Sequence, residues 1–498
     1  MNKKTYIAAS TLTIIIFYSI VMIFFSKNYS YDAIGYSISV RDTNFNEIFH
    51  PYHLIYTYLF FLFYKIISFF TLIQPHIAGQ VFSLVSALIA LVFMYMLTYE
   101  LFFDKITALA AALFFNLSLW FMYYSMDVEL HIPNIAGLII AVYLVNKIIV
   151  DHNRITERLL AALCAFMLLM HQLNFFLWGI SFCFSLYYSS GKKKTVVLWI
   201  VSVVVLAVLP YIIIPRYYFN IKNPAEMIRW LTRYQSKGYW SGITGNYFLE
   251  SILGLTTSIL GGGVYKQIII AMAGTGTIIF YIFKAISRKI RGIEVYIIAL
   301  FVCYAGIIIY WHPANPENWW ALLYFILLVF LFAENLIIMK KKFEYSIRCL
   351  LVVLFLYQLY AVIYGYIIKY HKREFNKTLV LTEKLNKMYG DGNNLIICPG
   401  EGDYAGLSMY LKYFTKLQFI SMAVEFDRFD GSLDKTLNQI EKSMNKNFTQ
   451  IIFTEDMFDR RPFEQLARMH RIPELPDIMN NYYIEIFRAR NNVIKQGK

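Results

Sequence analysis

The sequence is poor in charged residues and in cysteine. Only 16% of its 498 residues are Asp, Glu, Lys or Arg, whereas a soluble globular domain usually carries about 25%. The cysteines are few and scattered, and most lie within apolar runs: Cys164, Cys183, Cys303, Cys349 and Cys398. These features exclude an ordinary soluble enzyme, a disulfide framework and a cysteine-based zinc site.

Apolar sequence is abundant instead. Hydrophobic residues make up 58% of the chain and aromatic residues 18%. Runs of about 20 apolar residues, each long enough to cross a hydrocarbon core roughly 30 Å thick, recur from Thr5 to Lys369. The sequence therefore predicts an α-helical polytopic membrane protein. The candidate segments are 5–25, 52–73, 77–99, 106–124, 133–150, 159–171, 174–190, 195–215, 264–284, 293–311, 319–338 and 347–369.

The positive charge favours a membrane topology over nucleic-acid binding. The formal net charge is +14, and many basic residues lie in short clusters between apolar runs. Under the positive-inside rule, such clusters predict cytoplasmic loops. They occupy residues 147–158, 192–194, 284–291 and 340–342.

The first apolar run, Thr5–Phe25, follows two lysines and has no small-residue cleavage site after it. It therefore predicts an uncleaved anchor with its N-terminus inside. If every segment crossed the membrane, the basic clusters would not all lie inside. Segment 52–73 follows His50 and contains Lys65, so we predict that it dips into the membrane or lies in its plane. About eleven crossings of the cytoplasmic (inner) membrane result, and the C-terminal tail lies outside.

The outer stretches of this topology collect polar and ionisable residues. Such groups are costly in lipid and persist where they face water or a partner. Their clustering predicts a binding or reaction site at the outer face, and ordinary solvated loops are the alternative. The residues are Asp32, His50, His53, Asp127, Glu129, His131, His171, Gln172, Arg216, Arg229, Arg233, Lys237, His312, Asn315 and Glu317.

Segments 159–171 and 174–190 are both short for a full crossing. They meet at His171-Gln172-Leu173-Asn174. Short helices that meet at a polar break usually line a cavity, because backbone exposed at membrane depth must be buried or wetted. A single long kinked helix is the competing interpretation.

The tail predicts a small extracytoplasmic α/β domain, residues 371–498, after a membrane domain of residues 1–370. "NLIICPGEGDYAGLSMYLKYF" has the pattern of a strand, a glycine turn and a helix, and "LQFISMAV", "TQIIFTED" and "NYYIEIFRA" predict further strands. The turn at Gly400–Gly406 lacks the spacing of a dinucleotide fingerprint and carries two acids where a pyrophosphate would lie. We expect this domain to contact an acceptor or to pack rather than to catalyse.

Four polar stretches together carry a resemblance to a known family. They are "YDAIGY", with Asp32; "HPYHLIYTYLFFLFYK"; "YYSMDVELHIPNIAGLIIAVYLV", with Asp127; and "PANPENWWALLYF". Over about residues 1–370 they resemble the GT-C superfamily of integral-membrane glycosyltransferases, which includes protein O-mannosyltransferases and lipid A aminoarabinose transferases. The second stretch departs from the superfamily's His-Pro-Pro-Gly-Tyr-Pro entry by lacking its glycine and second proline, and Glu129 is a second candidate acid beside Asp127.

The resemblance implies a polyprenyl-phosphate sugar donor, a hydroxyl acceptor on a protein, lipid or glycan, and inversion at the anomeric carbon. A carboxylate can take the proton of the acceptor hydroxyl. We assign that role to Asp32, and name Asp127 as the second catalytic acid. An N-terminal helix cap for residues 34–40 is the alternative role of Asp32.

The remaining polar residues are expected to bind the substrates. The candidates for binding sugar or acceptor are His50, His53, Glu129, His131, His171, Gln172, Asn315 and Glu317. The candidates for the donor phosphate are Arg216, Arg229, Arg233 and Lys237. Arg229 and Arg233, four residues apart, would share a helix face, and contact of these cations with anionic lipid headgroups is the alternative.

No cofactor is expected. A divalent metal held by His50, His53 and His131 stays open as a lesser alternative, because Pro51 predicts a turn between the first two histidines. Two other functions also stay open: a flippase or transporter for lipid-linked oligosaccharides, and an oligosaccharide polymerase or ligase. A transporter would predict charges at the bilayer midplane and an internal repeat, and the apolar segments show few central charges and no evident repeat.

Overall fold

The computed structural model describes most of the chain up to residue 232 and parts of the remainder. The described residues are 25–27, 29–116, 118–232, 276, 279, 281–287, 289–311, 326, 360, 363–399, 406–429, 432–454, 463–464, 467, 474–479 and 481–482, apart from a few side chains within these ranges. The chain divides into two compact units. The first comprises Met1–Ser26, Ser39–Leu231 and Trp240–His371, and the second comprises Lys27–Ile38, Thr232–Tyr239 and Lys372–Lys498.

Helices make up the described part of the first unit, and one helix, α1 (Tyr31–Arg41), begins in the second unit and ends in the first. The other helices are α2 (Phe45–Ile48), α3 (Tyr56–Phe70), α4 (Pro75–Phe102), α5 (Lys105–Asn116), α6 (Leu119–Ser125), α7 (His131–Asp151), α8 (Arg154–Met170), α9 (Phe175–Tyr188), α10 (Lys192–Tyr218), α11 (Pro224–Leu231), α12 (Gly292–Trp311) and α13 (Ile368–His371). A π-helical turn, Val204–Val208, interrupts α10, and another, Ile363–Ile367, precedes α13.

Three helices in the described part of the chain are long and apolar enough to cross a membrane: α4, α7 and α10. Helix α3 has 15 residues, which corresponds to about 22 Å and is shorter than a hydrocarbon core of roughly 30 Å. That segment 52–73 dips into the membrane or lies in its plane stays a prediction. The number of crossings stays a prediction, since residues 1–24 and much of 233–362 lie outside the described residues.

The candidate membrane segment over residues 106–124 is not one continuous helix. Helix α5 ends at Asn116 and α6 begins at Leu119, with Ser118 in an extended conformation between them. Asn and Ser side chains compete with helical backbone hydrogen bonds and favour turns. The backbone N–H of Ser118 donates to the carbonyl of Phe115 at 3.2 Å, which closes the turn.

The predicted break between α8 and α9 is confirmed. His171 has extended backbone angles, φ −164° and ψ 134°, and a 3-10 turn, Gln172–Asn174, follows it. The alternative of a single kinked helix is therefore excluded.

The helices of the first unit have two chemically different ends. Helices α4 and α7 run in the same direction, because Gly79 near the start of α4 lies against Val128, just before α7, while Glu100 near the end of α4 bonds Lys147 near the end of α7 at 2.6 Å. The end with Val128 is called the site end. The other is called the basic end, and it comprises residues 100–105, 147–158, 188–194 and 284–292.

The basic clusters and the polar stretches lie at opposite ends. At the basic end, the Arg291 guanidinium donates to the carbonyl of Leu101 at 3.4 Å, the Tyr188 hydroxyl lies against Gly292, and the Arg154 guanidinium lies over Gly191. Residues 50–55, 126–131 and 171–174 lie at the site end. The separation that the positive-inside rule predicts for these stretches is therefore present, and the side of the membrane that each end faces stays a prediction.

The second unit contains a three-stranded parallel sheet in the order β2-β1-β3. Its elements are α14 (Lys377–Tyr389), β1 (Asn394–Cys398), α15 (Leu407–Phe414), β2 (Gln418–Ser421), α16 (Met422–Arg428), α17 (Leu433–Met444) and β3 (Gln450–Phe453). All five residues of β1 are buried, as is typical of a central parallel strand.

The strands predicted in "NLIIC", "LQFISMAV" and "TQIIFTED" are confirmed at 394–398, 418–421 and 450–453. The second stretch is a strand only in part, because α16 begins at Met422. Gly406, with φ +78°, occupies the left-handed region just before α15, where glycine is favoured; residues 400–405 of the predicted turn lie outside the described residues. The strand predicted from "NYYIEIFRA" is wrong at its start, because Asn481 and Tyr482 are helical, and its remainder also lies outside.

Residues from the start of the chain pack in this second unit. Ile34 and Ile38 of α1 form one apolar cluster with Leu379, Tyr410 and Tyr413. The Tyr410 hydroxyl donates to the carbonyl of Tyr29 at 2.7 Å. The compact unit therefore includes more than the tail, and the predicted domain boundary at residue 370 stays a prediction.

Candidate functional site

A tight turn holds the first two candidate histidines together. Residues 50–53, here called the histidine turn, place the two imidazole rings in a stack with centroids 4.4 Å apart, and the backbone N–H of His53 donates to the carbonyl of His50 at 3.2 Å. Pro51 fixes its own φ and suits such a turn. The predicted turn is confirmed, and His53 is buried within it.

The histidine turn docks on the polar break, residues 171–174. The backbone N–H of Gln172 donates to the carbonyl of Tyr52 at 3.0 Å, and its side-chain amide donates to the carbonyl of Pro51 at 2.9 Å. The Tyr211 hydroxyl of α10 donates to the same Pro51 carbonyl at 3.1 Å. Segments about 120 residues apart in sequence are thus joined through backbone groups that would otherwise lack partners.

Both acids of the second acidic segment are buried in the loop before α7. This segment, residues 126–130, is called the acidic loop. Asp127 is fully buried and Glu129 is 2% exposed. One carboxylate oxygen of Asp127 accepts from the backbone N–H of Val128 at 2.9 Å. The Glu129 carboxylate lies 3.9 Å from Nε2 of His131, the first residue of α7.

Helix α4 presents a polar face to the acidic loop. The Gln80 amide donates to the carbonyl of Met126 at 2.8 Å, and the Ser83 hydroxyl accepts from the backbone N–H of Glu129 at 3.3 Å. Gly79 lets the loop approach, since a Cβ there would lie 2.6 Å from Val128 Cγ1 and 2.9 Å from Phe60 Cζ. Sequence reasoning missed these residues. Their signal is the run of small and polar residues at the start of an otherwise apolar segment.

Two imidazoles at the site end, those of His53 and His171, are held in the neutral form. Burial, together with the nearby charge of His131, lowers the pKa of His53 to about 4. Burial also lowers the pKa of His171 well below its usual value, and the charges of His53 and His131 act in the same direction. At neutral pH, His53 and His171 can therefore donate and accept hydrogen bonds without adding positive charge.

A buried hydrogen-bond network around the Asn174 side-chain amide connects the polar break to neighbouring helices. The Asn174 amide donates to Oδ1 of Asn134 at 2.8 Å and to the carbonyl of Met167 at 2.7 Å, while its own Oδ1 accepts from the Tyr304 hydroxyl at 3.0 Å. This network ties α7, α8 and α12 together. It was also missed from sequence, where Asn134 and Tyr304 stand as single polar groups in apolar helices.

Two of the four candidate phosphate-binding cations are described. Arg216 lies in the last turn of α10 and Arg229 in the last turn of α11, and both are exposed. Trp230 of α11 packs in one apolar cluster with Phe49 and Leu54, which flank the histidine turn. Helix α11 ends at Leu231, so the predicted helix face shared by Arg229 and Arg233 is not part of the described structure. Arg233, Lys237, His312, Asn315 and Glu317 lie outside the described residues.

Asp32 lies in the second unit, in the first turn of α1, and is exposed. The helix-cap alternative for this residue is wrong. The Ser30 hydroxyl accepts from the backbone N–H of Ala33 at 3.0 Å, so Ser30 is the cap. As a first-turn acid, Asp32 adds only the modest stabilisation of a negative charge near a helix N-terminus.

A metal site is not formed by the residues that the structure describes. Among them, no group of three or more His, Cys, Asp or Glu side chains is placed to hold a metal ion.

Comparisons with known proteins show the fold. No protein-family model matches the chain, and no curated protein matches its sequence. Among solved structures, ArnT from Cupriavidus metallidurans bound to undecaprenyl phosphate is similar with a TM-score of 0.60 and 9% identity, covering 94% of this chain and 95% of that chain. ArnT in the apo state has a TM-score of 0.54 and 10% identity, covering 90% of this chain and 89% of that chain.

An archaeal structure is similar over most of the chain as well. The Archaeoglobus fulgidus oligosaccharyltransferase, in complex with Zn and sulfate, has a TM-score of 0.52 and 12% identity, covering 93% of this chain and 70% of that chain. ArnT and the oligosaccharyltransferase are both GT-C glycosyltransferases. The resemblance to the GT-C superfamily is confirmed at the level of the fold.

Proposed function

We propose that this protein is a membrane glycosyltransferase that moves a sugar from a polyprenyl-phosphate donor to a hydroxyl acceptor, with inversion at the anomeric carbon. The observation that carries the proposal is the GT-C fold, shared over 94% of the chain with an ArnT structure that holds undecaprenyl phosphate. Fold alone does not fix an activity. The chemistry of the site end supplies the second line of support.

Such a transfer requires a base for the acceptor proton and groups that bind the sugar and the phosphate. The acceptor oxygen attacks the anomeric carbon, the bond from that carbon to the phosphate oxygen breaks, and the acceptor hydroxyl loses its proton. A carboxylate takes the proton, a step that contributes about 10²- to 10⁴-fold to the rate. Asp32 is our first candidate for this base because its carboxylate is exposed and reachable by an acceptor.

Asp127 is proposed to stabilise charge. In the transition state, positive charge develops at the anomeric carbon, and a buried carboxylate stabilises it more strongly than a solvated one would. Neutral His53 and His171 suit hydrogen bonding to sugar hydroxyls, as do His50, Glu129, His131 and Gln172. Arg216 and Arg229 are proposed to bind the departing polyprenyl phosphate, whose oxygens match the planar guanidinium.

The donor class can be tested directly. Purified protein in detergent is incubated with radiolabelled polyprenyl-phosphate sugars, each with membrane lipids as acceptors. We expect release of polyprenyl phosphate and a labelled product from at least one donor. If every donor stays intact, while liposomes containing the protein move a fluorescent lipid-linked sugar between leaflets, the protein is a transporter instead.

The base can be tested with an isosteric substitution. Asp32→Asn keeps the size of the side chain but cannot take a proton, so transfer should fall at least about a hundredfold with unchanged donor binding. Asp42→Asn is the matched control, because Asp42 follows the same helix and pairs with Arg41 at 2.7 Å. Near-normal transfer by Asp32→Asn would assign the role of base to Asp127 or Glu129.

A further inference from the structure

A cavity of about 620 Å³ lies at the basic end, between the starts of α8 and α10. Four cations line it: Arg154 and Arg158 from α8, and Lys193 and Lys194 from α10. Glu157 is the one carboxylate in its lining, and the remaining lining residues are apolar. None of these residues takes part in the site end.

The cations of this cavity are largely uncompensated. Arg154 lies 3.6 Å from the Glu157 carboxylate. Within the described part of the chain, Arg158, Lys193 and Lys194 form no salt bridge. Four positive charges against one negative charge favour an anionic ligand.

The start of α10 also favours an anion. Its first turn holds three consecutive lysines, and Gly191 at the N-cap position provides no side-chain hydrogen bond. The backbone N–H groups of a first helical turn have no partner within the helix, and positive side chains there oppose the helix dipole. An anion at this position would bind both the N–H groups and the lysines.

Glu157 places a second requirement on the ligand. It is 4% exposed, and its Oε1 is buried without a hydrogen-bond partner. A buried carboxylate oxygen that lacks a donor is costly. Because Glu157 lines the cavity, a ligand that displaces the atoms covering this oxygen and donates a hydrogen bond to it would remove that cost, so we expect a donor on the ligand as well as a negative charge.

The apolar part of the cavity is continuous with a surface suited to lipid. Val197 and Val201 of α10 line the cavity, and both are exposed, at 60% and 52%. Further along the same helix, Val204 and Val205 are exposed too. An acyl chain could lie along this face while its headgroup occupies the polar part of the cavity.

We propose that the cavity between α8 and α10 binds an anionic glycerophospholipid with a hydroxyl-bearing headgroup, such as phosphatidylglycerol. Its phosphate binds Arg158, Lys193, Lys194 and the N-terminus of α10, a headgroup hydroxyl donates to Glu157, and an acyl chain lies along Val197 and Val201. The positive-inside rule accounts for the number of cations at this end. It does not account for the cavity, for the lack of a side-chain cap at the start of α10, or for the Glu157 oxygen that has no hydrogen-bond donor.

The test uses the full-length protein in a neutral detergent. The midpoint of thermal unfolding is measured against increasing dihexanoyl-phosphatidylglycerol, dihexanoyl-phosphatidic acid, dihexanoyl-phosphatidylcholine and inorganic phosphate. We expect a saturable rise with phosphatidylglycerol, a severalfold weaker response to phosphatidic acid, which lacks the headgroup hydroxyls, and little response to the other two. An equal response to inorganic phosphate would overturn the lipid proposal, and an equal response to phosphatidic acid would overturn the role of Glu157.

Matched double variants locate the site. Lys193→Gln/Lys194→Gln should weaken the apparent affinity for phosphatidylglycerol at least tenfold. Lys105→Gln/Lys289→Gln removes the same charge from the basic end at residues that do not line the cavity, and it should bind as the wild type does. An equal loss in both variants would show a general surface attraction and contradict a defined site. Native mass spectrometry of retained lipid gives the same comparison if the first variant has a lower starting stability.

Discussion

Carboxylates have different partners at the two ends of the first unit. At the basic end, Glu100 bonds Lys147 at 2.6 Å, and Glu294, which is fully buried, bonds Lys284 at 2.6 Å and Arg291 at 3.1 Å. At the site end, the contacts of Asp127 and Glu129 include a backbone N–H, a histidine and, through the backbone, a serine hydroxyl.

This difference separates structural acids from reactive ones. A buried carboxylate neutralised by lysine or arginine has its charge fixed, because those cations do not titrate near neutral pH. Asp127 and Glu129 instead lie beside a histidine and backbone dipoles, and buried acids with such neighbours are typical of functional sites. The comparison therefore predicts that substitutions at the basic end change stability, whereas substitutions at the site end change the reaction.

The largest expected effect on stability is at Lys284. Lys284→Met leaves the Glu294 carboxylate buried with one cation fewer, and breaking a buried pair in this way typically costs about 3–5 kcal/mol. The thermal midpoint in detergent should fall strongly, while transfer per folded molecule stays near the wild-type rate. Lys289→Met is the control, since Lys289 is exposed at the same end. Equal midpoints for the two variants would contradict the structural role.

The amide network under the site end should give the next effect. Asn174→Ala removes the partner of Asn134, Met167 and Tyr304 at once, and leaving buried polar groups unsatisfied costs about 1–3 kcal/mol. Tyr304→Phe removes only one of these bonds and should cost less. Chemical denaturation in mixed micelles measures both variants. A larger loss for Tyr304→Phe would mean that Asn174 does not organise the network.

Gly79 tests whether the position of the acidic loop matters more for reaction than for stability. Gly79→Ala forces Val128 and Phe60 away, and such overpacking costs about 1–3 kcal/mol. We expect transfer to fall by about tenfold, which corresponds to about 1.4 kcal/mol in the barrier, beyond any loss of folded protein. Gly306→Ala in α12 is the control, because nothing lies within 4 Å of the added Cβ. An unchanged transfer rate in folded Gly79→Ala would show that the position of the acidic loop does not affect the reaction.

The remaining effect is a dependence of stability on pH, which develops only below pH 6.5. His53 has a pKa of about 4 in the folded protein against 6.5 ordinarily, so the unfolded chain binds its proton more readily between these values. Stability is complete above pH 6.5 and falls as the pH drops towards 4, by about 1.4 kcal/mol per pH unit. His171 contributes in the same direction.

Thermal midpoints between pH 7 and pH 5 check this dependence. His53→Gln should flatten the pH profile. His152→Asn should not, because His152 is exposed at the basic end and has a left-handed conformation that asparagine also adopts. Identical profiles for His53→Gln and the wild type would contradict the burial of a neutral imidazole.

Much of the fold could be predicted because its signals are local. The length of apolar runs marks α4, α7 and α10, alternation and β-branched residues mark the strands, and the polar residues 171–174 mark the break between α8 and α9. The break at Asn116 and Ser118 was missed because hydropathy averages over about 20 residues and does not detect two helix-disfavouring positions. The pattern of "NYYIEIFRA" fits a strand, but the structure is helical at Asn481 and Tyr482.

The candidate site could be predicted only in part. The sequence places His53, Asp127, Glu129, His131 and His171 on outer stretches, and the structure shows that these stretches meet at one end of the helices. The sequence could not show that Gln172 donates hydrogen bonds to the histidine turn, or that Gly79 leaves room for Val128. Both are contacts between segments far apart in sequence. Burial, which makes His53 and His171 neutral, is likewise a property of the packed protein.

The most direct test compares one carboxylate from each end. Asp127→Asn removes the negative charge of a buried acid and Glu100→Gln that of a partly buried one, and the rate of sugar transfer from a polyprenyl-phosphate donor is measured per folded molecule. We predict a loss of at least about a hundredfold for Asp127→Asn, in the range found when one stabilising group of a catalytic site is removed, and a change within about twofold for Glu100→Gln, since a structural acid lowers stability without entering the reaction. A normal rate for folded Asp127→Asn together with a collapse for folded Glu100→Gln would contradict the assignment of the reaction to the site end.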